Sequence, residues 1–181
     1  MKWGYNKMTK TNQYTLWKEQ LAQVRFPFWK ELPTLELYID QVVAIVNEQL
    51  KGVGVEPLTK SMVNNYVKKK VIQAPVKKKY AVNQLVDLLL IGFFKSSFSI
   101  DEIRAGIAQV TVSVYPQQAY DQFVTLLNAK LAGKAPVTSG AYPQNDELES
   151  MAVDTVLNRL KASYLLRTMR QQQAPSGVVK K

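Results

Sequence analysis

Apolar residues recur at spacings of three and four through Ile39, Val42, Val43, Val46 and Leu50, which predicts an amphipathic helix over 35–50. Thr34 stands where a cap belongs, and Glu36 and Asp40 lie near the positive helix end. The run KGVGVEP, 51–57, ends the pattern; its Gly-Val-Gly lacks the spacing and the downstream Lys-Ser/Thr of a phosphate loop, so it reads as a plain loop. Thr59 is a second cap, followed by an apolar stripe of Met62, Val63, Tyr66, Val67 and Val71. Lys60, Ser61, Asn64, Asn65 and Lys68 fall on the opposite face, so this helix buries one side and presents amides and ammonium groups on the other.

Past that helix, VIQAPVKKKY (71–80) reads as two short extended pieces around Ala74-Pro75, a small β-hairpin or wing. A Leu- and Ile-rich helix over 82–94 is expected to be the most buried in the chain. Ser99 and Glu102 form a capping box ahead of Ile103, Ile107 and Val110. A helix over 115–131 follows, with Tyr120, Phe123, Val124, Leu127 and Leu131 on one face. Gly, Pro and Ser mark 132–145 as a linker. A long helix over 146–171 is acidic at its start and basic near its end, in agreement with the helix dipole; the tail 171–181 is expected to be disordered.

The first 34 residues are polar but rich in aromatics: Trp3, Tyr5, Tyr14, Trp17 and the cluster Phe26-Pro27-Phe28-Trp29. A helix over 15–24 is predicted, and the aromatic cluster is expected to pack on the body as a strap, with a docking site for a partner as the alternative. Three stretches result: an extension over 1–34, a central unit over 35–110, and C-terminal helices over 111–181. The fold class is mainly α with a small β wing and added N- and C-terminal helices.

Charge sharpens the picture. The net charge is +10, and seven lysines with no acid lie between Glu56 and Asp87. Like charges so close repel unless a polyanion or solvent screens them. Asn pairs with adenine edges and Lys with guanine or phosphate, so the polar helix face suits a DNA groove, and wing lysines suit phosphates. A merely solvated face is the plain alternative.

Composition removes other classes. There is no cysteine and no histidine, hence no disulfide, no thiolate nucleophile and no zinc site built from those ligands. Fourteen scattered acids form no catalytic pair, so neither an enzyme nor a cofactor is expected. The start MKWGYNKMTKTNQ has no apolar signal core, and the longest apolar run, 88–94, falls far short of the roughly 20 residues that span a bilayer. A soluble, cytoplasmic protein with no membrane partner is expected.

The order helix, polar-faced helix, basic wing, buried helix resembles the DNA-binding domain of MerR-type transcription regulators. Ser61-Met62-Val63-Asn64-Asn65-Tyr66 sits at that family's recognition-helix motif, Val71-Ile72 with Pro75 at the step into the wing, and Lys79-Tyr80 at the wing's end. Phe98-Ser99-Ile100-Asp101-Glu102-Ile103 matches the motif that opens a later helix. More closely, roughly residues 25–130 resemble an uncharacterised bacterial family of YkrK-like proteins, itself regarded as MerR-like. The resemblance implies a winged helix-turn-helix over 35–110. Departures are specific: Asn64-Asn65 replaces a usual arginine, Lys78 stands where the wing normally has Arg, and the absence of cysteine excludes thiol-based metal sensing.

The expected function is therefore double-stranded DNA binding by a transcription regulator. Lys60, Ser61, Asn64 and Asn65 are candidate base or backbone contacts, with Lys68, Lys69, Lys70, Lys77, Lys78 and Lys79 gripping phosphates. A homodimer through 146–171 is the expected assembly. The alternative is a protein-interaction module on a winged scaffold without DNA binding, for fold does not settle function. RNA binding is disfavoured because Tyr66 and Tyr80, the aromatics among the lysines, both read as packed.

Overall fold

The amphipathic segments fold as helices around one core in the computed structural model, which describes residues 5–136, 138 and 140–173, with side chains over 13–136, 138 and 140–171. The chain runs α1 (Tyr5–Leu21), a short 3-10 turn (Trp29–Glu31), β1 (Leu37–Tyr38), α2 (Ile39–Val53) and α3 (Lys60–Lys68). It continues through β2 (Lys79–Tyr80), α4 (Val82–Phe94), α5 (Ile100–Thr111), α6 (Pro116–Leu131) and α7 (Pro143–Gln173). The fold is mainly α, with one antiparallel pair of two-residue strands and helices flanking it at both ends.

Helix α4 is the centre of the core, as its composition requires. Leu85, Leu88, Leu89, Ile91 and Phe93 are all buried, and the Phe93 ring meets Phe26 and Phe123 edge-on at 5.9 and 6.0 Å. On α2, Val42, Val46, Leu50 and Val53 form the buried stripe. One cluster of buried residues extends from Leu21 to Leu157 and draws on every helix from α1 to α7.

The aromatic strap packs on the body. Asn128 on α6 accepts from the Phe26 backbone N–H through Oδ1 at 2.8 Å and donates to the Phe26 carbonyl through Nδ2 at 3.0 Å. The Trp29 N–H donates to Asp121 at 2.8 Å, and the Tyr120 hydroxyl donates to the Pro27 carbonyl at 3.0 Å. Extended backbone near a proline has no helical partners, so these side chains satisfy what would otherwise be unpaired groups. Burial raises the pKa of the Tyr120 phenol, with Asp121 and Glu31 adding to the shift.

Several boundaries differ from the pattern-based expectation. The helix expected over 35–50 begins only at Ile39, because Leu37–Tyr38 is extended and pairs with Lys79–Tyr80. Thr34 is therefore not its cap; Tyr38 precedes the first turn, and its N–H donates to the Gln41 side chain at 2.9 Å. The 71–80 segment is not two paired pieces around Pro75. Its strand, β2, pairs with β1, and only an isolated bridge joins Val76 to Lys79. Pro75 has no N–H to give a ladder, and the carbonyls of Gln73 and Ala74 are taken by the Gln84 side chain.

At the N-terminus α1 starts earlier than 15 and stops at Leu21; Trp17 on it stacks on Tyr164 of α7 at 4.3 Å between centroids. Helix α7 starts at Pro143, a residue suited to a first turn, so the linker is shorter than 132–145. The helix includes residues 171–173 of the expected tail; the rest, 174–181, lies outside the described residues, as does Trp3. The capping box at Ser99 forms as expected, with the Glu102 N–H donating to Ser99 Oγ at 3.2 Å and the Ser99 N–H to Glu102 at 2.8 Å.

Candidate nucleic-acid interface

Helix α3 is held by its apolar face and by two side-chain clamps at its entry. Val63 and Tyr66 are buried, and burial raises the Tyr66 phenol pKa. Thr59 caps the helix, accepting from the Met62 N–H at 3.2 Å. On α2, Asn47 accepts from the Leu58 N–H at 2.7 Å and donates to the Leu58 carbonyl at 2.8 Å, which fixes the loop that turns α2 into α3. The opposite face carries Ser61, Asn64, Asn65 and Lys68, all exposed, at the spacing that aligns side chains along one side of a helix.

Lys60 and Lys79 are drawn to acids instead. Lys60 pairs with Asp40, and Lys79, half-buried, lies 3.9 Å from Glu36. Asp40 lies in the first turn of α2, as the sequence pattern predicts, but Glu36 precedes the helix. The two acids are four residues apart, a span of at most about 14 Å of extended chain. The entry of α3 and the base of the wing are thus tethered to the same short segment.

The helix expected over 59–70 ends at Lys68, so Lys69 and Lys70 belong to the turn that leaves it. Lys70 has φ 57°, in the left-handed region. Its N–H donates to the Val67 carbonyl at 3.0 Å and the next N–H, of Val71, to Tyr66 at 2.8 Å, the pair of bonds that defines a Schellman turn. The same turn closes α2 at Gly54, φ 83°, and α6 at Gly133, φ 68°. Glycine takes that conformation without a Cβ penalty, whereas lysine carries one of roughly 1 kcal/mol.

The wing repeats this preference for lysine where glycine fits. Val76 and Lys79 exchange both backbone hydrogen bonds, at 3.1 and 2.9 Å, around Lys77 (φ 49°) and Lys78 (φ 66°). Two positive φ values in a two-residue loop are the type I′ pattern, where Asn-Gly is the favoured pair. The base is fixed from below by buried Gln84, which accepts from the Ala81 N–H at 2.6 Å and donates to the Gln73 and Ala74 carbonyls at 3.1 and 3.0 Å. Tyr80, buried beside it, is also held above its ordinary pKa by burial.

Of the candidate residues, Ser61, Asn64, Asn65 and Lys68 share one exposed face, and Lys77 with Lys78 forms the wing tip. Lys68, Lys69, Lys70, Lys77 and Lys78 are exposed and have no ion pair among the described residues. Sequence reasoning did not single out Asn47 or Gln84. Each reads as one more polar residue on a helix, and only the backbone groups it reaches reveal its part.

A mainly helical chain with a strand pair, a polar-faced helix and a lysine turn is what the geometry defines. The family model described as "Domain of unknown function (DUF1836)" matches residues 27–123, more than half of the chain, and the chain belongs to that family. No curated protein and no solved structure matches it. The matched stretch starts within the strap and ends on α6, so it takes in the clamps, the lysine turns and the Asp121 contact.

Proposed function

We propose that this chain is a double-stranded DNA-binding transcription regulator, with α3 entering the major groove and the 71–80 wing gripping the backbone. The observation that carries this reading is the presence of lysine, with no ion pair, at Lys70, Lys77 and Lys78, all in left-handed backbone that at the other such positions among the described residues belongs to glycine. Backbone strain kept at a charged surface points to a use for the charge. Asn64 and Asn65 supply donors and acceptors suited to base edges, while Lys68, Lys69, Lys70, Lys77 and Lys78 supply the phosphate contacts. The MerR-like resemblance supports the same assignment. A cytoplasmic regulator without catalytic activity fits it; among the described residues no helix is long and apolar enough to cross a membrane.

The assembly in this reading is a homodimer through 146–171. Met151, Leu165, Leu166 and Met169 on α7 are exposed, which supports pairing with a second copy and, on the second reading, contact with another protein. A two-fold dimer would read two half-sites related by the same axis.

Titration of the full chain with a pool of duplex DNA from about 50 to 300 mM salt tests the proposal, alongside a Lys77/Lys78/Lys79→Ala variant. Five phosphate contacts imply a log–log salt slope of about −4.5. Binding that weakens with that slope, and with a shallower one in the variant, is the expected result. Absence of binding at 50 mM would reject DNA in favour of a protein partner.

A further inference from the structure

A cleft of about 480 Å³ lies between α4, α5, α6 and α7, with Trp29 of the strap on its wall and no residue of the lysine turns in its lining. Leu90, Phe94, Phe98, Ile107 and Phe123 give it an aromatic and aliphatic lining. Protein interiors are close-packed, so an apolar space of this size between four helices needs a reason, and its volume is that of a small-molecule site.

Two features bear on the reason. Gly106 lines the cleft from the middle of α5, where glycine costs about 1 kcal/mol relative to alanine. No close neighbour demands it: a Cβ there would meet nothing within 4 Å, and its φ is not in the left-handed region. The residue leaves volume to the cleft and serves no packing contact.

The second feature is charge. Asp87, Glu102 and Glu149 line the space against a single guanidinium, Arg104. Arg104 is spoken for, since its Nη1 donates to Asp87 at 2.9 Å, and Glu102 accepts from Ser99 in the capping box. Glu149 has neither an ion pair nor a side-chain hydrogen bond among the described residues. An anionic occupant would find no free cation, whereas a cationic one would find a carboxylate without a partner and several aromatic faces.

We propose that the cleft binds an organic cation, an ammonium or similar positive group carried on an aromatic or branched apolar body, with Glu149 as its counter-charge. Burial, reinforced by Asp146 on the same helix, pushes the Glu149 carboxyl up to about 7, and a bound cation would relieve that cost. The other charged or titratable groups on the cleft wall are Asp87 on α4, Glu102 and Arg104 on α5 and Tyr120 on α6. Affinity should therefore rise as the pH is raised from 6 to 8 and Glu149 ionises.

Calorimetric titration of the full chain with tetraphenylphosphonium, in the absence of DNA, tests the assignment independently of the DNA reading. Saturable one-to-one binding is expected, weakened about tenfold in Glu149→Gln, where the pH dependence also disappears. Gly106→Leu, which fills the cleft with a better helix former, should abolish it while raising the melting temperature. No saturable binding to the folded wild type, or equal binding by wild type and Glu149→Gln, would overturn the proposal, as would undiminished binding by Gly106→Leu.

Discussion

Asn47 holds Leu58 by both ends of its peptide unit, accepting from the Leu58 N–H and donating to the Leu58 carbonyl across an eleven-residue gap. This amide clamp sets where the chain leaves α2 and enters α3. Leu58 is 2% exposed, so neither backbone group has ready access to water if the clamp is lost. Asn47→Ala should destabilise the fold by about 2–3 kcal/mol, the cost of leaving two buried backbone groups unpaired. Urea denaturation checks this. Asn47→Asp discriminates further: it keeps the acceptor but sets a carboxylate oxygen against the Leu58 carbonyl, so at neutral pH it should cost at least as much as Asn47→Ala, and less at low pH, where the protonated carboxyl can donate.

Gln84 plays the matching part beneath the wing. Its three hydrogen bonds reach Ala81, Gln73 and Ala74, and with Thr168 it is one of two buried residues among the described ones that are polar rather than apolar or aromatic. Gln84→Leu keeps the volume but orphans one N–H and two carbonyls, so a loss of about 2 kcal/mol or more is expected. The loss should be local. Amide hydrogen exchange should accelerate over 73–81 more than over α4, and uniform acceleration would contradict a wing-specific clamp.

These two residues mark the limit of what pattern reading reaches. Helices with one apolar face, such as α2 and α6, were legible because burial imposes a 3.6-residue period, and α4 was legible from its run of Leu and Ile, which is buried on nearly every side. The caps at Thr59 and Ser99 were legible because their bonds are local in sequence. Strand β1 was not, because two extended residues ahead of a helix carry no periodicity, and their partner lies forty-odd residues away. The exposed lysines and asparagines could be named from the helical period of 59–71 and from the lysine run before Tyr80. Their left-handed backbone could not, because lysine, unlike glycine or asparagine, does not mark a turn with positive φ, and the Asn47 and Gln84 clamps depend on backbone groups that only folding brings near.

The Glu149 carboxyl makes stability depend on pH in a particular direction. Its pKa in the folded chain is about 7, above the ordinary carboxyl value of 4.5, so between these values the folded state binds more protons than the unfolded one. Its contribution is fully present below about pH 4.5 and is lost as the pH rises through 7. Glu149→Gln should therefore leave stability little changed at pH 5 and raise it by on the order of 1–2 kcal/mol at pH 8. Melting temperatures of both proteins at the two pH values decide the matter; an equal difference at pH 5 and 8 would mean the carboxyl does not titrate in this window.

Lys77 and Lys78 offer a test in which stability and the proposed binding move in opposite directions. Both residues occupy the left-handed region in a two-residue loop closed by Val76 and Lys79, where Asn-Gly fits best. The double variant Lys77→Asn/Lys78→Gly should raise stability by about 1 kcal/mol, since it relieves the Cβ cost and removes two like charges. If the wing grips phosphates, the same variant should bind duplex DNA more weakly, its salt slope falling from about −4.5 to about −2.7 as two of five contacts disappear. Lys77→Ala/Lys78→Ala removes the same charges but keeps a Cβ at each strained position, so it should share the reduced slope with a smaller gain in stability. Salt titrations and thermal melts on the three proteins separate the effects. A stabilised Asn-Gly variant that retains the full salt slope would mean that the strained lysines do not meet DNA.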